Sequence, residues 1–156
     1  MKIILLCSSQ SNQKALANKL HSRFILDKII ITSSANKKSE SLSIKKIKNI
    51  LNKILSSLFT LFKFRRMWFG MLSYYSKRYP NFPINPELIV DDINDKRVEQ
   101  IIDDSKPELV IVSGTNLLKN KLITKIHNYG KVMNLHTGIS PYLKGGPDCT
   151  NWCLFL

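Results

Sequence analysis

The chain has 156 residues, of which 44% are hydrophobic and 22% charged, with six glycines and six prolines. This composition fits one globular domain and excludes collagen-like and low-complexity chains. No apolar run reaches the ~18 residues that a membrane-spanning helix needs, and three cysteines, an odd number, argue against a disulfide framework and for a reducing, cytoplasmic setting.

The formal net charge of +13 is unevenly distributed. Eight of the 11 acids lie between Glu87 and Glu108, whereas Lys37 to Arg66 holds nine cations and one acid, Glu40. An excess of this kind permits an anionic partner such as RNA, a nucleotide or a lipid surface, but does not require one. A coding bias towards Lys, Asn and Ile explains it equally well.

Lys2 to Cys7 is a short apolar run that turns polar at Ser8, with no small-residue cleavage pattern. It is expected to be a first buried strand and not a signal peptide. The loop Ser8-Ser9-Gln10-Ser11-Asn12 follows, then helical spacing of Ala15, Leu16, Ala17 and Leu20 within Gln13 to His21. Phe24 to Thr32 is Ile-rich and is expected to be a second buried strand. Two buried runs joined by a helix make a βαβ unit and imply a parallel sheet. The first turn has no glycine, which argues against NAD and FAD, whose pyrophosphate needs close backbone approach. Hydroxyls and a helix N-terminus at this loop can hold a substrate phosphate, or the loop can simply cap the helix.

Residues 37–80 form a basic segment that is expected to be helical from Leu42 to Tyr79. Ile47, Ile50, Ile54, Leu58 and Leu61 recur at three- and four-residue steps, and lysines 45, 46, 48 and 53 fall mostly on the other face. The spacing predicts one long helix, bent near Gly70, docked on the sheet with a solvated basic side. The alternative is a basic amphipathic helix touching membrane or RNA.

Pro80, Pro83 and Pro86 mark a turn region before a short strand at Glu87 to Val90. Asn94 to Asp104 is expected to be an acidic helix with Val98, Ile101 and Ile102 inward, stopped by Pro107. Leu109 to Val112 reads as a buried parallel strand ending at Ser113-Gly114-Thr115. Leu117 to Asn128 is expected to be helical with Gly130 as its stop, and Lys131 to His136 to be the next strand. The expected fold is therefore a three-layer α/β domain, residues 1–156, with a mostly parallel sheet of Rossmann-like βαβ units. Cys149 and Cys153 are expected to be packing residues and His127 an exposed one, so no metal site is expected.

Asn134 and His136 alternate to the same side of that last strand, and in an open parallel sheet ligands gather beyond the carboxyl ends of the strands. An Asn amide can donate to a developing oxyanion, and a His can donate or accept near neutral pH. A turn-starting Asn and a backbone-satisfied His fit the same spacing.

The run Asn134-Leu135-His136-Thr137-Gly138-Ile139-Ser140-Pro141-Tyr142-Leu143-Lys144-Gly145-Gly146 resembles the active-site segment of the folate-dependent formyltransferases. That superfamily includes the glycinamide ribonucleotide, methionyl-tRNA and sugar N-formyltransferases. The shared pattern is Asn-x-His, small residues, then Pro-x-x-Arg/Lys-Gly. Lys106-Pro107-Glu108-Leu109-Val110-Ile111-Val112-Ser113-Gly114 is similar to the family's Lys-Pro-Asp strand, and Thr150-Asn151-Trp152 to the helix after its loop. The resemblance spans Glu87 to Leu156.

What the resemblance implies is formyl transfer from 10-formyltetrahydrofolate to an amine of a small substrate, with an amino sugar nucleotide preferred. Asn134 and His136 would stabilise the oxyanion. Gly114, Thr115, Asn116, Leu117 and Leu118 would correspond to the loop beside the folate ring. No nucleic-acid partner is expected. The chain as given ends 20 residues after His136, before the family's proton-handling Asp, so a C-terminally truncated domain with an incomplete sheet and poor turnover is expected. The alternatives are an inactive ligand-binding remnant, or a basic module associated with RNA or membrane through residues 37–79.

Overall fold

A computed structural model describes residues 1–33 and 63–135 of the chain. The described residues form a five-stranded, wholly parallel sheet between helical layers. In chain order the elements are β1 (Ile3–Ser8), α1 (Ser11–His21), β2 (Lys28–Thr32), α2 (Lys63–Arg78), β3 (Leu88–Val90), α3 (Lys96–Ser105), β4 (Leu109–Ser113), α4 (Asn120–His127) and β5 (Lys131–Asn134). The spatial order is β3-β2-β1-β4-β5. This is the expected α/β architecture.

Strand β1 is central, and all six of its residues are buried. A parallel strand covered on both faces must be apolar at consecutive positions, and Ile3-Ile4-Leu5-Leu6-Cys7 meets that need. The alternation then divides the core in two. Ile3, Leu5 and Cys7 pack with Ala17 of α1 and with Ile29, Ile31 and Ile111. Ile4 and Leu6 pack with Val98 and Ile102 of α3, and with Leu122 and Ile126 of α4. Helix α1 therefore covers one face, and α3 and α4 cover the other. The register places Leu6 beside Ile30 and Val112, so each layer is continuous across the strands.

Helices α3 and α4 are joined by two ion pairs at matching i, i+4 positions, Glu99 with Lys121 at 2.7 Å and Asp103 with Lys125. The Tyr129 hydroxyl also donates to Asp103, at 3.1 Å. Helix α2 lies on α1, where the Ser11 hydroxyl donates to the Leu72 carbonyl at 2.8 Å and the Lys19 ammonium stands 5.8 Å from the Tyr75 ring centre.

Several boundaries differ from the sequence expectation. The second strand begins at Lys28 and not Phe24: Phe24 and Ile25 are exposed, and only Leu26 enters the core. Pairing starts where the Asp27 N–H reaches the Ile3 carbonyl, at 2.9 Å. Helix α3 ends at Ser105, two residues before Pro107, because Lys106 adopts the left-handed conformation (φ 48°) and its N–H closes on Ile102. Helix α2 runs through Gly70 uninterrupted. The Ile47 to Leu61 stripe lies outside the described residues.

Gly130 is placed by space. A Cβ there would stand 2.3 Å from the Glu108 carbonyl oxygen and 2.4 Å from that of Pro107, both main chain. Gly130→Ala should therefore cost about 3 kcal/mol, the upper end for overpacking. Gly70 is mid-helix with nothing within 4 Å of its missing Cβ, so Gly70→Ala should stabilise by about 0.5–1 kcal/mol. Urea midpoints at unchanged slope would show the two substitutions moving in opposite directions.

Candidate functional site at the switch point of the sheet

From β1 the chain moves outward through β2 to β3, then returns across β1 to form β4. The connections leaving β1 and β4 therefore diverge, which opens a crevice at the carboxyl edge between them. Its walls come from Ser8, the first turn of α1, and the Ser113-Gly114-Thr115 exit of β4.

Gly114 has φ +69°, in the left-handed region. A Cβ at this position would lie 3.0 Å from Gln13 Nε2 and 3.4 Å from Ser8 Oγ. The Gln13 amide is thus packed against the Gly114 backbone, and Gln13 retains only 8% exposure. Its Oε1 is buried without a hydrogen-bond partner, as is Oδ1 of the neighbouring Asn12. An unmet buried acceptor costs about 1–3 kcal/mol. Two of them on consecutive residues of the first turn of α1 make this end of the helix unusually polar inside.

The backbone at the N-terminus of α1 adds to this polarity. Gln10 occupies the cap position without a side-chain cap bond, and no acid lies in the first turn. The Ser11 hydroxyl, the other candidate cap, is directed to Leu72 instead. The positive end of an 11-residue helix therefore faces this edge without a side-chain cap, an arrangement that favours an anionic or carbonyl oxygen.

Asn134 is the last residue of β5 and pairs in register with Val112. It shares the sheet face of Leu6 and Val112 and is exposed. One further ladder bond follows, from the Leu135 N–H to the Val112 carbonyl at 2.8 Å. His136 and the run to Gly146 lie outside the described residues, as do Cys149 and Cys153.

The segment Gly114 to Leu118 divides by role. Gly114 lines the crevice. The Thr115 hydroxyl donates to the Asn116 carbonyl at 2.9 Å. The Asn116 side chain is engaged at both ends: Oδ1 accepts from the Ile93 N–H at 3.0 Å, and Nδ2 donates to Asp92 at 2.7 Å. Leu117 is almost fully exposed, and Leu118 packs against the α3–α4 core. Neither Thr115 nor Asn116 caps α4. Its cap residue is Lys119, whose N–H donates to Asn94 Oδ1 at 2.7 Å.

Asp92, Asn94 and Asn116 thus tie the loop after β3 to the loop after β4. Asp92 Oδ1 accepts from the Asn94 N–H and from both amides, and these bonds hold its carboxyl below the usual carboxylate range, the Asn94 N–H foremost. The Asp-x-Asn spacing is a turn signal in the sequence, but its partner Asn116, 24 residues on, is not readable from it. The packing of Gln13 against Gly114, beside the Ser8 to Asn12 loop, is likewise not readable from the sequence. The local signal there is two amides, Asn12 and Gln13, in the first helical turn after a glycine-free polar loop.

Burial pushes the Cys7 thiol up to about 12, which keeps it an inert core thiol. Among the described residues no three His, Cys, Asp or Glu side chains are grouped to hold a metal ion. No protein-family model matches the sequence, and no curated protein is significantly similar to it.

Asn116→Ala should cost about 1 kcal/mol, the low end for stranding the partly buried Ile93 N–H, since its bond to Asp92 is exposed. The Asp92 contribution has a definite sign with pH. Its folded pKa lies below an unfolded value of about 3.9, so its stabilisation is full above that value and is lost as pH falls through the folded one. The stability gap between wild type and Asp92→Asn should therefore be constant at neutral pH and close below about pH 4. Urea titrations at both pH values would measure it. Native Cys7 should resist thiol alkylation until the chain is unfolded, as read by mass mapping of that cysteine.

Proposed function

We propose that this domain binds a small amine-bearing substrate and a folate at the carboxyl edge of its sheet, and transfers a formyl group between them. The observation that carries the reading is the placement of Asn134. It ends β5, exposed, on the strand next to β4, whose exit at Gly114 forms the switch-point crevice. An amide there is free to donate to an oxygen gaining negative charge, and removal of one such donor costs about 10²–10³ in rate.

The described residues suit the two ligands in different ways. The uncapped first turn of α1, with Ser8, Asn12 and Gln13, fits the polar or phosphate end of an acceptor such as an amino sugar nucleotide. The buried acceptors Asn12 Oδ1 and Gln13 Oε1 match the N–H groups of an amine or amide. On the other wall, Leu117, three residues beyond Gly114, offers an exposed apolar side chain, a fit for the flat ring of 10-formyltetrahydrofolate. Asn116 supports that wall through its bonds to Asp92 and Ile93, and does not contact the folate. The folate supplies the formyl group. Asn134 steadies the carbonyl oxygen, and His136, two residues on, is placed in the chemistry by the sequence motif.

The test is a titration of the full chain with a non-transferable 10-formyl folate analogue, followed by a transfer assay with 10-formyltetrahydrofolate and a panel of amino sugar nucleotides. Saturable folate binding is expected, with transfer falling about 10²–10³-fold in Asn134→Ala at unchanged stability. Absence of folate binding at millimolar concentration, or equal transfer by the variant, would falsify the proposal.

A further inference from the structure

The basic stretch that the proposed chemistry leaves unused continues into a described helix with an unusual surface. Between Ser41 and Pro86 there are nine cations and no acid. Five of those cations, Lys63, Arg65, Arg66, Lys77 and Arg78, fall within α2. The helix meets α1 through Leu72 and Tyr75. The adjacent stripe, Met67, Met71, Tyr74 and Arg78, follows i, i+4, i+7, i+11 spacing and so occupies one side. Met67 is 72% and Tyr74 58% exposed; Trp68, 47% exposed, begins the neighbouring stripe that continues through Leu72 and Tyr75. Exposed Met, Trp and Tyr side chains flanked by cations at both ends are the composition of a helix that lies in a lipid interface.

We propose that α2 docks flat on an anionic lipid surface, with Met67 and Tyr74 entering the headgroup boundary, Trp68 at the margin of the contact, and Arg66, Lys77 and Arg78 meeting the lipid phosphates. Charge selects the occupant: an acid-free helix is repelled by a basic surface and gains roughly fivefold in binding per cation placed near an anionic one. The apolar residues decide between lipid and nucleic acid. Trp68 and Tyr74 suit either a headgroup boundary or base stacking, but the thioethers of Met67 and Met71 between them offer no flat face for bases and bury readily among acyl chains. No helix among the described residues is long and apolar enough to cross a membrane, so the contact is interfacial. It is independent of the formyl-transfer reading, since none of these residues lines the crevice.

The experiment is flotation of the full chain with phosphatidylcholine vesicles, with and without 30% phosphatidylglycerol (about 30% being enough for a strongly negative surface). Binding to the anionic vesicles only is expected, weakening as salt is raised. In a Trp152→Phe background, Trp68 emission should shift to the blue on binding. Met67→Ser with Tyr74→Ser should reduce partitioning roughly tenfold, and Arg66→Glu with Arg78→Glu about 25-fold or more. All four positions are exposed, so the far-UV circular dichroism of both variants should match wild type. Failure to float with anionic vesicles, or flotation undiminished in both variants, overturns the proposal. So does binding of an unstructured RNA through the same residues by a chain that ignores the vesicles.

Discussion

Strand β1 hydrogen-bonds to a parallel neighbour along each edge and carries a helical layer on each face. A backbone in that position has no access to solvent, so its donors and acceptors must all be met by the ladders, and its side chains must be apolar in an unbroken run. Ile3 to Cys7 satisfies both demands. The first polar side chain, Ser8, falls where the strand leaves the sheet. The position of the crevice follows from this. The α1 turn can begin only where burial ends, and β4, paired residue for residue with β1 up to Cys7 opposite Ser113, must release its own chain one residue later, at Gly114.

That constraint explains why the polar groups of the crevice are tightly packed and still unsatisfied. Gly114 turns left-handed so that the chain can leave without driving a Cβ into the Gln13 amide. The close approach places Gln13 under the loop and screens its Oε1 from solvent. Elsewhere at the same edge exposed polar side chains are fully paired. Asn116 uses both ends of its amide, and Asp92 gathers three donors on one oxygen. The same edge thus holds two amide oxygens, Asn12 Oδ1 and Gln13 Oε1, that are buried without a partner.

The sequence showed the layers better than the joints. Parallel strands at both Ile-rich runs and at Leu109 to Val112 were legible, because continuous burial writes itself as continuous apolarity. The inward positions Val98 and Ile102 were legible from helical spacing. Phe24 and Ile25 misled because apolarity alone does not mark where pairing begins; the geometry of the turn after α1 sets that. The role of Asn116 was hidden for a related reason. An Asn before a helix reads as a cap, and only the tertiary proximity of Asp92 shows that its amide is committed across the gap between two loops. Gly130 stands near a helix end, as a stop would, yet its role is to let the chain pass the Pro107 and Glu108 carbonyls. Contacts between residues distant in sequence carry each of these cases, and no local pattern encodes them.

The crossover that creates the crevice also sorts the charge. Helix α2, with five cations and no acid, lies on α1 and therefore on one side of the sheet. Helix α3, with Glu99, Asp103 and Asp104, covers the opposite side. There Glu99 and Asp103 are largely spent on Lys121 and Lys125 of α4, so the acidic layer is internally neutralised and its field is short-ranged. Helix α2 has no acid of its own to answer its cations. Exposed like charges on one helix repel and are screened only over about 10 Å at 0.1 M salt, and the described structure meets that repulsion with a single cation–π contact at each of Lys19 and Arg78. Among the described residues the positive charge left without an acidic partner on its own helix is therefore concentrated on the α1–α2 layer. The same layer supplies the uncapped end of α1, so an anionic ligand approaching the crevice meets attraction from this side, while the paired layer behind β4 contributes fixed walls and little field.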